Sequence, residues 1–449
     1  MENDFRYLPD TAQDREEMLA TLGVSSITEL FTDIPDTIQL KDNLALPAAI
    51  HESALNKKMR KMANKNKDSE EYALFLGAGT YDHYIPSTVD HVISRSEFYT
   101  AYTPYQAEAS QGELQAIFEF QTMICELTGM DAANSSLYDG FTAIGEAATL
   151  AVRSTKRNKV IVSKAVHPQG REILKTVSTG FNYQVVEAKL IGDSTDLNEL
   201  KTLIDQETAA VIIQYPNFFG SVEDLREIKA IAESNRALFI VVANPLALAL
   251  LEAPGNLGAD IVVGDTQPLG LSMSFGGPHC GYFSVNKKHV RKLPGRIVGQ
   301  SVDKDGKRGF VLTLQTREQH IKREKATSNM SSNQALNALA SAVFMSALGK
   351  EGLRQMAQLN IEKADYMVNA LIEKGFSVNN QAPFFNEFVV ELPFSVTQTN
   401  EALLEHKIIG GYNLEKEYGL KNHMLVAVTE QRTKEEIDDF VATLEGMIK

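Results

Sequence analysis

Three short segments carry residue types and spacings from which chemistry could follow. The first is Gly77-Ala78-Gly79-Thr80, whose glycines resemble the start of a dinucleotide-binding turn. Such a turn needs a preceding strand, a third glycine and a helix that opens on the pyrophosphate. The next residues, from Tyr81 to Pro86, bring no third glycine. The pattern therefore favours a glycine-rich turn or a close backbone approach over a nucleotide site.

The second segment runs from Ser135 to Ala143 and leads into a helix of small residues. A helix that begins at Gly140, with Thr142 in its first turn, could bind a phosphate through its free N–H groups. Asp139, however, lies where an N-cap belongs, and a carboxylate there would accept those N–H groups and repel a phosphate. We therefore expect Asp139 to cap its own helix.

The third segment joins a strand to a turn. Ala259 to Val263 is apolar and β-branched, Asp265-Thr266-Gln267 follows it, and a glycine-rich turn comes later at Gly276-Gly277-Pro278. Taken alone, this segment indicates only a strand, a loop and a close turn.

The elements that must position these segments follow from hydrophobic periodicity. Gly112 to Thr128 has the spacing of an amphipathic helix, and short apolar runs then alternate with helical patterns. Runs that are apolar on both faces are typical of a parallel sheet covered by helices, so we predict an α/β domain. The predicted domains are an N-terminal helical arm over 1–75, the α/β domain over 76–330, and a C-terminal α+β domain over 331–449.

Composition limits the class of protein. The net charge of −14 argues against general binding to nucleic acids or to anionic membranes. We predict a cytoplasmic protein without a metal, because the acidic N-terminus is unlike a secretory signal and Cys125 and Cys280 form no paired motif. The basic stretch from Lys57 to Lys67 is either a solvated helix face or, less simply, a docking patch for an acidic partner.

Two long motifs carry a family resemblance. They are Thr316 to Asn329 (TREQHIKREKATSN) and the Gly264 to Gly277 stretch, supported by Tyr102 to Gly112 (YTPYQAEASQG). Together they closely resemble the P-protein of the glycine cleavage system, over essentially the whole chain. The chain length and the opening Tyr7-Leu8-Pro9 resemble the separate first (α) subunit found where P-protein is split into two chains.

The resemblance implies a fold-type-I pyridoxal phosphate (PLP) enzyme, with a mixed, mostly parallel sheet in a three-layer domain. Such a P-protein decarboxylates glycine and passes the aminomethyl group to the lipoyl arm of H-protein. This chemistry needs a lysine that links PLP and an acid that keeps the pyridine nitrogen protonated.

This sequence departs from that pattern at three places. Counted back from the glycine-rich turn, the lysine position is Gln267, and an amide nitrogen is not a nucleophile. The strand that should end in an acid is followed by Asn244, which is neutral. Asp139 and Thr142 occupy the would-be phosphate loop. The resemblance therefore implies a vacated cofactor site and a β subunit that carries both the lysine and PLP.

Two further sets of residues have roles that follow only from the resemblance. Fold-type-I sites lie at subunit interfaces, so this chain would lend residues to its partner, or the polar segment would simply seal the interface. The substrate and interface candidates are Tyr102, Tyr105, Gln106, Glu108, Ser110 and Gln111. A basic stretch would line the entrance for the lipoyl arm, or form a structural network of salt bridges. Its members are Arg317, His320, Arg323 and Lys325.

Two other functions stay open at this stage. One is a self-contained PLP enzyme that uses another lysine, such as Lys164 or Lys287. The other is a regulatory or scaffolding pseudoenzyme without catalysis. The leading hypothesis is a catalytic partner subunit that is inactive alone.

Overall fold

The N-terminal part of the chain forms helices without a core. The computed structural model describes residues 9–40, 42, 44–101, 104–330, 333–379 and 382–448, and it divides between Asn66 and Lys67 into two units. The first unit contains α1 (Ala12–Leu22), a 3-10 helix (Ile27–Phe31) and α2 (Glu52–Ala63). None of its described residues is buried. Its apolar side chains therefore lie at the surface.

Seventeen strands and twelve further helices make up the described part of the second unit. The strands are β1 (Ala73–Leu74), β2 (Ala132–Ala133), β3 (Lys159–Ser163), β4 (Gln184–Ala188), β5 (Leu190–Ile191), β6 (Ser194–Thr195), β7 (Thr208–Tyr215), β8 (Leu238–Ala243), β9 (Ile261–Asp265), β10 (Gly281–Val285), β11 (Ile297–Val302), β12 (Arg308–Thr313), β13 (Ser377–Asn379), β14 (Glu387–Glu391), β15 (Ile408–Ile409), β16 (Tyr412–Asn413) and β17 (His423–Ala427). The helices are α3 (Ser87–Ile93), α4 (Ser96–Tyr99), α5 (Gln111–Thr128), α6 (Gly140–Thr155), α7 (Pro168–Phe181), α8 (Leu197–Leu203), α9 (Leu225–Ser234), α10 (Gln319–Lys322), α11 (Ala335–Glu373), α12 (Val396–Glu405), α13 (Glu415–Tyr418) and α14 (Lys434–Ile448). Short 3-10 turns lie at Ala247–Ala249, Val290–Lys292, Gln315–Arg317 and Arg323–Lys325.

A seven-stranded sheet carries the candidate site. Its strand order is β2-β10-β9-β8-β7-β3-β4, and β10 runs antiparallel to both of its neighbours. Successive residues of β3 point to opposite faces: Ile161 belongs to one buried cluster, while Val160 and Val162 belong to another. Because helices cover both clusters, the sheet is the middle of three layers, as the doubly apolar runs predict.

The C-terminal region pairs a long helix with a small sheet. α11 contains a kink at Gly349, whose φ of 60° lies in the left-handed region. The sequence pattern predicts two helices here, over 332–348 and 350–374, and the kink falls between them. A four-stranded antiparallel sheet follows, in the order β13-β14-β17-β16. β1 joins this region, because Ala73 pairs in parallel with Ile408.

The sequence analysis missed one element that matters for the site. β11 and β12 form a hairpin that packs on α5 through Val298 and Phe310. Its strands mix exposed and buried residues, so their alternation is weak. The three predicted domain ranges stay predictions.

Candidate functional site

The position expected to hold a lysine is filled by a buried amide that binds the main chain. Gln267 follows β9 and is fully buried. Its Oε1 accepts a hydrogen bond from Tyr81 N at 2.9 Å, and its Nε2 donates to Tyr81 O at 2.8 Å and to Leu271 O at 3.1 Å. Both ends of the amide are therefore occupied, and Gln267 acts here as a clamp on the loop at Tyr81.

The start of α6 is closed by two carboxylates. Asp139 is its N-cap: Oδ1 accepts from Thr142 N at 2.7 Å, and Asp139 N donates to Thr142 Oγ1 at 3.2 Å. This confirms the predicted cap. Asp265 Oδ2 accepts from Gly140 N at 2.9 Å, and burial raises the pKa of Asp265. The N–H groups of Gly140 and Thr142, which could bind a phosphate, are thus already used by carboxyl oxygens.

The end of β8 offers no acid. Asn244 lies there, and its Oδ1 accepts from Leu246 N at 3.0 Å. Its neighbours around a cavity of about 80 Å³ include Gly79, His167, Asp265 and Glu387. A neutral amide cannot stabilise a protonated pyridine nitrogen as a carboxylate would.

These residues do not fit a lysine-bound PLP. Gln267 has no nucleophilic nitrogen and no free amide hydrogen, because both Nε2 hydrogens are donated to carbonyls. Asp139 and Asp265 would repel a phosphate at the start of α6. Asn244 supplies no negative charge. We therefore derive no chemical step through PLP on this chain.

The turn at 77–79 approaches the small sheet closely. Gly77, Ala78 and Gly79 all have positive φ, at 53°, 55° and 97°. A Cβ on Gly77 would lie 2.3 Å from Ala427 Cβ, so only glycine fits. The predicted close backbone approach is confirmed, and it explains why glycines occur here without a nucleotide fingerprint.

A buried acid that the sequence did not single out fixes this turn. Glu387 begins β14; its Oε1 accepts from Ala78 N at 2.8 Å and its Oε2 accepts from Tyr81 Oη at 2.8 Å. Burial raises the pKa of Glu387 to about 7. Its place in an apolar strand was the one sequence signal, since a charged residue there needs a partner.

A neutral histidine fills the space beside this turn. His167 Nε2 donates to Ala78 O at 2.9 Å, and its Nδ1 accepts from Gln169 N at 3.2 Å. Burial lowers the pKa of His167 to about 4, so the ring stays uncharged at neutral pH. The ring packs on Phe141, with centroids 4.5 Å apart, and on Phe218 at 4.9 Å.

A larger cavity opens beside the clamp. It has a volume of about 1110 Å³, and its lining includes Tyr81, Asp139, Asp265, His279 and Lys67. Lys67 is exposed, and its Nζ lies over the Tyr72 ring. Asp139 and Asp265 both line this cavity, and carboxylates suit cationic or neutral groups better than phosphate.

Of the interface candidates before α5, some are bonded within the fold and others are exposed to solvent. Tyr102 lies outside the described residues. Gln111 is committed to the hairpin: its amide bonds both Phe310 N and Phe310 O at 2.8 Å. Ser110 precedes α5 without capping it through its side chain, and Gln106 and Glu108 are exposed. Tyr105 is 64% exposed and accepts a hydrogen bond from Arg296 Nη2 at 3.1 Å.

The basic stretch divides in the same way. Arg317 is buried, which lowers its pKa, and it donates to the carbonyls of Leu293 and Gly295. His320, Arg323 and Lys325 are exposed. Across the described ranges, the only ion pair in this stretch is His320 with Glu318, at 3.9 Å, so the alternative of a salt-bridge network finds no support there.

The structure brings the two sets together at one place. Tyr105, Arg317 and His320 line the same cavity of about 130 Å³. The loop that carries Arg317 and His320 is anchored on α6, because Arg153 Nη1 donates to Ala326 O at 3.1 Å and to Thr327 O at 2.6 Å. Two motifs far apart in sequence therefore meet at one surface cavity.

The remaining candidates do not cluster. Neither Lys164 nor Lys287 lines any of the four cavities described for this part of the chain. Within the described ranges, no three His, Cys, Asp or Glu side chains are arranged to hold a metal. None of the described helices has the length and apolar character that crossing a membrane requires.

Comparisons with known proteins agree over nearly the whole chain. The sequence model of the family described as "Glycine cleavage system P-protein" matches residues 5–444. A protein of Geobacillus sp. (strain WCH70), named probable glycine dehydrogenase (decarboxylating) subunit 1, is 59% identical over 440 residues, which are 98% of each chain. A crystal structure of glycine decarboxylase (P-protein) of the glycine cleavage system, in inhibitor-bound form, has a TM-score of 0.92 and 42% identity, and the match covers 98% of this chain and 99% of that one.

More distant structures show the fold. A C-DES mutant with glycine covalently linked to its PLP cofactor has a TM-score of 0.61 at 14% identity, with 85% of this chain and 99% of that chain covered. The predicted fold class, that of fold-type-I PLP enzymes, is confirmed.

Proposed function

Because this chain belongs to the glycine cleavage system P-protein family, we propose that it is the first (α) subunit of a two-chain glycine decarboxylase whose second (β) subunit holds PLP. The complex would be a glycine dehydrogenase of the decarboxylating, aminomethyl-transferring type, and thus an oxidoreductase. This chain alone would be inactive.

The observation that carries the proposal is the clamp made by Gln267. The side chain at the lysine position is buried and bonded at both ends to main-chain groups. Asp139 and Asn244 support the same conclusion at two separate parts of the site. Three positions that would contact the cofactor hold unsuitable residues, although the family fold is kept. We infer that a second subunit supplies those contacts.

In this division of labour, PLP on the β subunit supplies the electron sink for decarboxylation of glycine. The aminomethyl group would then pass to the lipoyl arm of H-protein. The role of this chain is to complete the interface around that site. Tyr105 is the accessible member of the segment from 102 to 111, and His320, Arg323 and Lys325 give a basic exposed surface for the entrance.

The N-terminal unit supports the presence of a partner. α2 exposes Leu55, Met59 and Met62, which are between 44% and 54% accessible and share one helix face. No described residue of this unit is buried. A contiguous exposed apolar surface of this kind marks an interaction site, and we assign it to the β subunit.

The proposal is tested by expressing this chain with a candidate β chain that carries a lysine at the position corresponding to Gln267. With lipoylated H-protein and labelled glycine, the complex should release carbon dioxide, whereas each chain alone should not. If the β chain alone releases carbon dioxide as fast as the complex, this chain is a scaffold and the proposal fails.

The role of the polar segment is tested by Tyr105→Phe in the same complex. Loss of the phenol should reduce glycine turnover without preventing assembly, which gel filtration checks. Unchanged kinetics would leave this segment with an interface-sealing role only.

A further inference from the structure

The small cavity beside Tyr105 has the chemistry of a binding site. Its volume is about 130 Å³, and it lies between the turn at Gly295 and the loop that follows β12. We call it the Arg296 pocket. Its ionisable lining residues are Tyr105, Arg296, Arg317, Glu318 and His320. Sequence reasoning reached three of these and missed Arg296 and Glu318.

The backbone of Arg296 is held rigidly. Gly295 before it has a φ of 78°, and a Cβ there would lie 2.9 Å from Asn134 Nδ2. Asn134 Nδ2 donates to Pro294 O at 3.1 Å, and Ser135 N donates to Arg296 O at 2.9 Å. The turn is therefore packed against the loop that leads to α6, which fixes where the guanidinium begins.

Arg317 braces the same turn from the other side. It is 8% exposed, and its Nη2 donates to Gly295 O at 2.7 Å while its Nη1 donates to Leu293 O. Because both terminal nitrogens are committed to carbonyls, Arg317 is a positioning residue for Arg296, and its Nε is buried without a partner among the described residues.

The guanidinium of Arg296 keeps unused donors. Its Nη2 bonds Tyr105 Oη at 3.1 Å, and its central carbon lies 5.4 Å from the centroid of that ring. Within the described ranges no carboxylate lies within 4.0 Å of it, and no partner is found for Nε or Nη1. A rigid planar fork with free donors matches the geometry of a carboxylate.

The pocket also holds a negative group. Glu318 Oε1 is buried and has no hydrogen-bond donor among the described residues, while its Oε2 lies 3.9 Å from His320 Nδ1. A buried carboxylate oxygen without a donor is rare in folded proteins, and a bound ligand would supply the donor. Arg296, with unused donors, and Glu318, with one unsatisfied oxygen, thus line the same small space.

We propose that the Arg296 pocket binds a small zwitterionic amino acid, with Arg296 taking the carboxylate and Glu318 taking the ammonium group. The cavity volume of about 130 Å³ suits a ligand of a few heavy atoms, so we assign an amino acid without a large side chain. This inference rests on the proposed function in one respect. Glycine, the proposed substrate, is the smallest amino acid of the class that we assign to the pocket. The binding involves no covalent step.

The test uses three probes that dissect the zwitterion: glycine, acetate, which lacks the ammonium group, and methylammonium, which lacks the carboxylate. Each is titrated against the full chain by saturation-transfer NMR. Glycine should bind most tightly. Arg296→Met should weaken glycine and acetate about tenfold or more, since a charge-assisted pair is lost. Glu318→Gln should weaken glycine and methylammonium and leave acetate within about twofold.

Arg308→Met is the matched control. Arg308 also lies over an aromatic ring, that of Phe310 at 5.6 Å, but it lines none of the cavities described. This variant should bind all three probes as the unaltered chain does. Arg296→Lys keeps the positive charge and is used if the methionine variant fails to fold. Its affinity for glycine should be several-fold lower than that of the unaltered chain. Equal glycine affinity in the unaltered chain and in the folded Arg296 variant would overturn the proposal.

Kinetic measurements on the complex distinguish a failure of this inference from a failure of the proposed function. If the unaltered complex turns over glycine, Arg296→Met should raise the KM for glycine by about tenfold with kcat changed far less. If the unaltered complex is inactive, the proposed function fails, while the probe titrations still decide whether the pocket binds an amino acid.

Discussion

Gln267 closes around Tyr81 with both ends of one side chain, accepting from Tyr81 N at 2.9 Å and donating to Tyr81 O at 2.8 Å. Only a group with a donor and an acceptor can do this. A lysine ammonium donates but cannot accept, so it would leave Tyr81 N without a partner. Gln267 therefore has a structural role in this loop that a lysine could not fill.

The first prediction concerns this clamp. Gln267→Leu removes partners from three buried main-chain groups, and Gln267→Lys additionally buries a charge. Each should reduce the free energy of unfolding by about 2–4 kcal/mol. Urea denaturation measures the loss. Gln358→Leu, at an exposed helix position, is the control and should cost under about 1 kcal/mol.

Gln267→Lys has a second readout. Because Asp139 and Asn244 remain, mixing this variant with PLP should give no stoichiometric lysine adduct after borohydride reduction. A stoichiometric adduct at the substituted position would show that the absence of a lysine is alone what prevents PLP attachment. That result would contradict the roles given to Asp139 and Asn244.

The second prediction concerns the close approach at Gly77. Gly77→Ala places a Cβ 2.3 Å from Ala427 Cβ and 2.7 Å from Glu387 Oε1, at a φ of 53°. It should destabilise the chain by about 3 kcal/mol or more, since both the backbone and the packing must shift. Gly306→Ala also has a positive φ but open surroundings, so it should cost only about 1 kcal/mol. Thermal unfolding of the pair compares them directly, and equal Tm values would rule out the tight contact.

The third prediction concerns pH. Burial raises the pKa of Glu387 from 4.5 to about 7, so the folded chain favours the protonated acid. Its stabilising contribution is complete below pH 4.5 and is lost as the pH rises through 7. Glu387→Gln is neutral at every pH, so its stability relative to the unaltered chain should improve by about 3 kcal/mol between about pH 4.5 and pH 7.5.

Urea denaturation at several pH values tests this difference. His167, whose pKa is lowered to about 4, gives the opposite dependence, because the imidazole of the unfolded chain gains a proton as the pH falls below 6.5 while the buried ring stays neutral. That dependence is present in both proteins and cancels in the comparison. A difference in stability that stays constant across the same pH range would mean that Glu387 titrates normally.

The fourth prediction concerns α2. Replacing Leu55, Met59 and Met62 together by serine removes its apolar face, so the complex with the β chain should dissociate at concentrations where the unaltered pair stays assembled. The melting of the remaining chain should change little, because these side chains are exposed. Analytical ultracentrifugation measures the assembly.

The basic residues of the same helix supply the control. Lys57, Arg60 and Lys61 can be changed together to glutamine. If this variant dissociates and the serine variant does not, the basic stretch is the docking patch and the apolar face is not.

Much of the architecture was predictable from local patterns. The doubly apolar run at Val160-Ile161-Val162 predicted a strand buried on both faces, and Asp139 before Gly140 predicted a self-capped helix. Both follow from interactions within a few residues. The family resemblance singled out Gln267, Asn244 and Tyr105 as candidates, and their roles stay predictions.

What escaped prediction depends on distant contacts. Glu387 matters because it meets Ala78 and Tyr81, which lie 309 and 306 residues away along the chain. Arg296 matters because separate loops fix it beside Tyr105. Nothing in the sequence around Arg296 distinguishes it from an ordinary surface charge, and the one local signal for Glu387 is its place in an apolar strand.

The most direct test locates PLP in the working enzyme. The active complex is reduced with borohydride and digested, and mass spectrometry then identifies the peptide that carries the pyridoxyl group. The pyridoxyl-lysine should come from the β chain alone, at about one per β chain, with none from this chain. A stoichiometric pyridoxyl group on any lysine of this chain would contradict its assignment as the subunit without a cofactor.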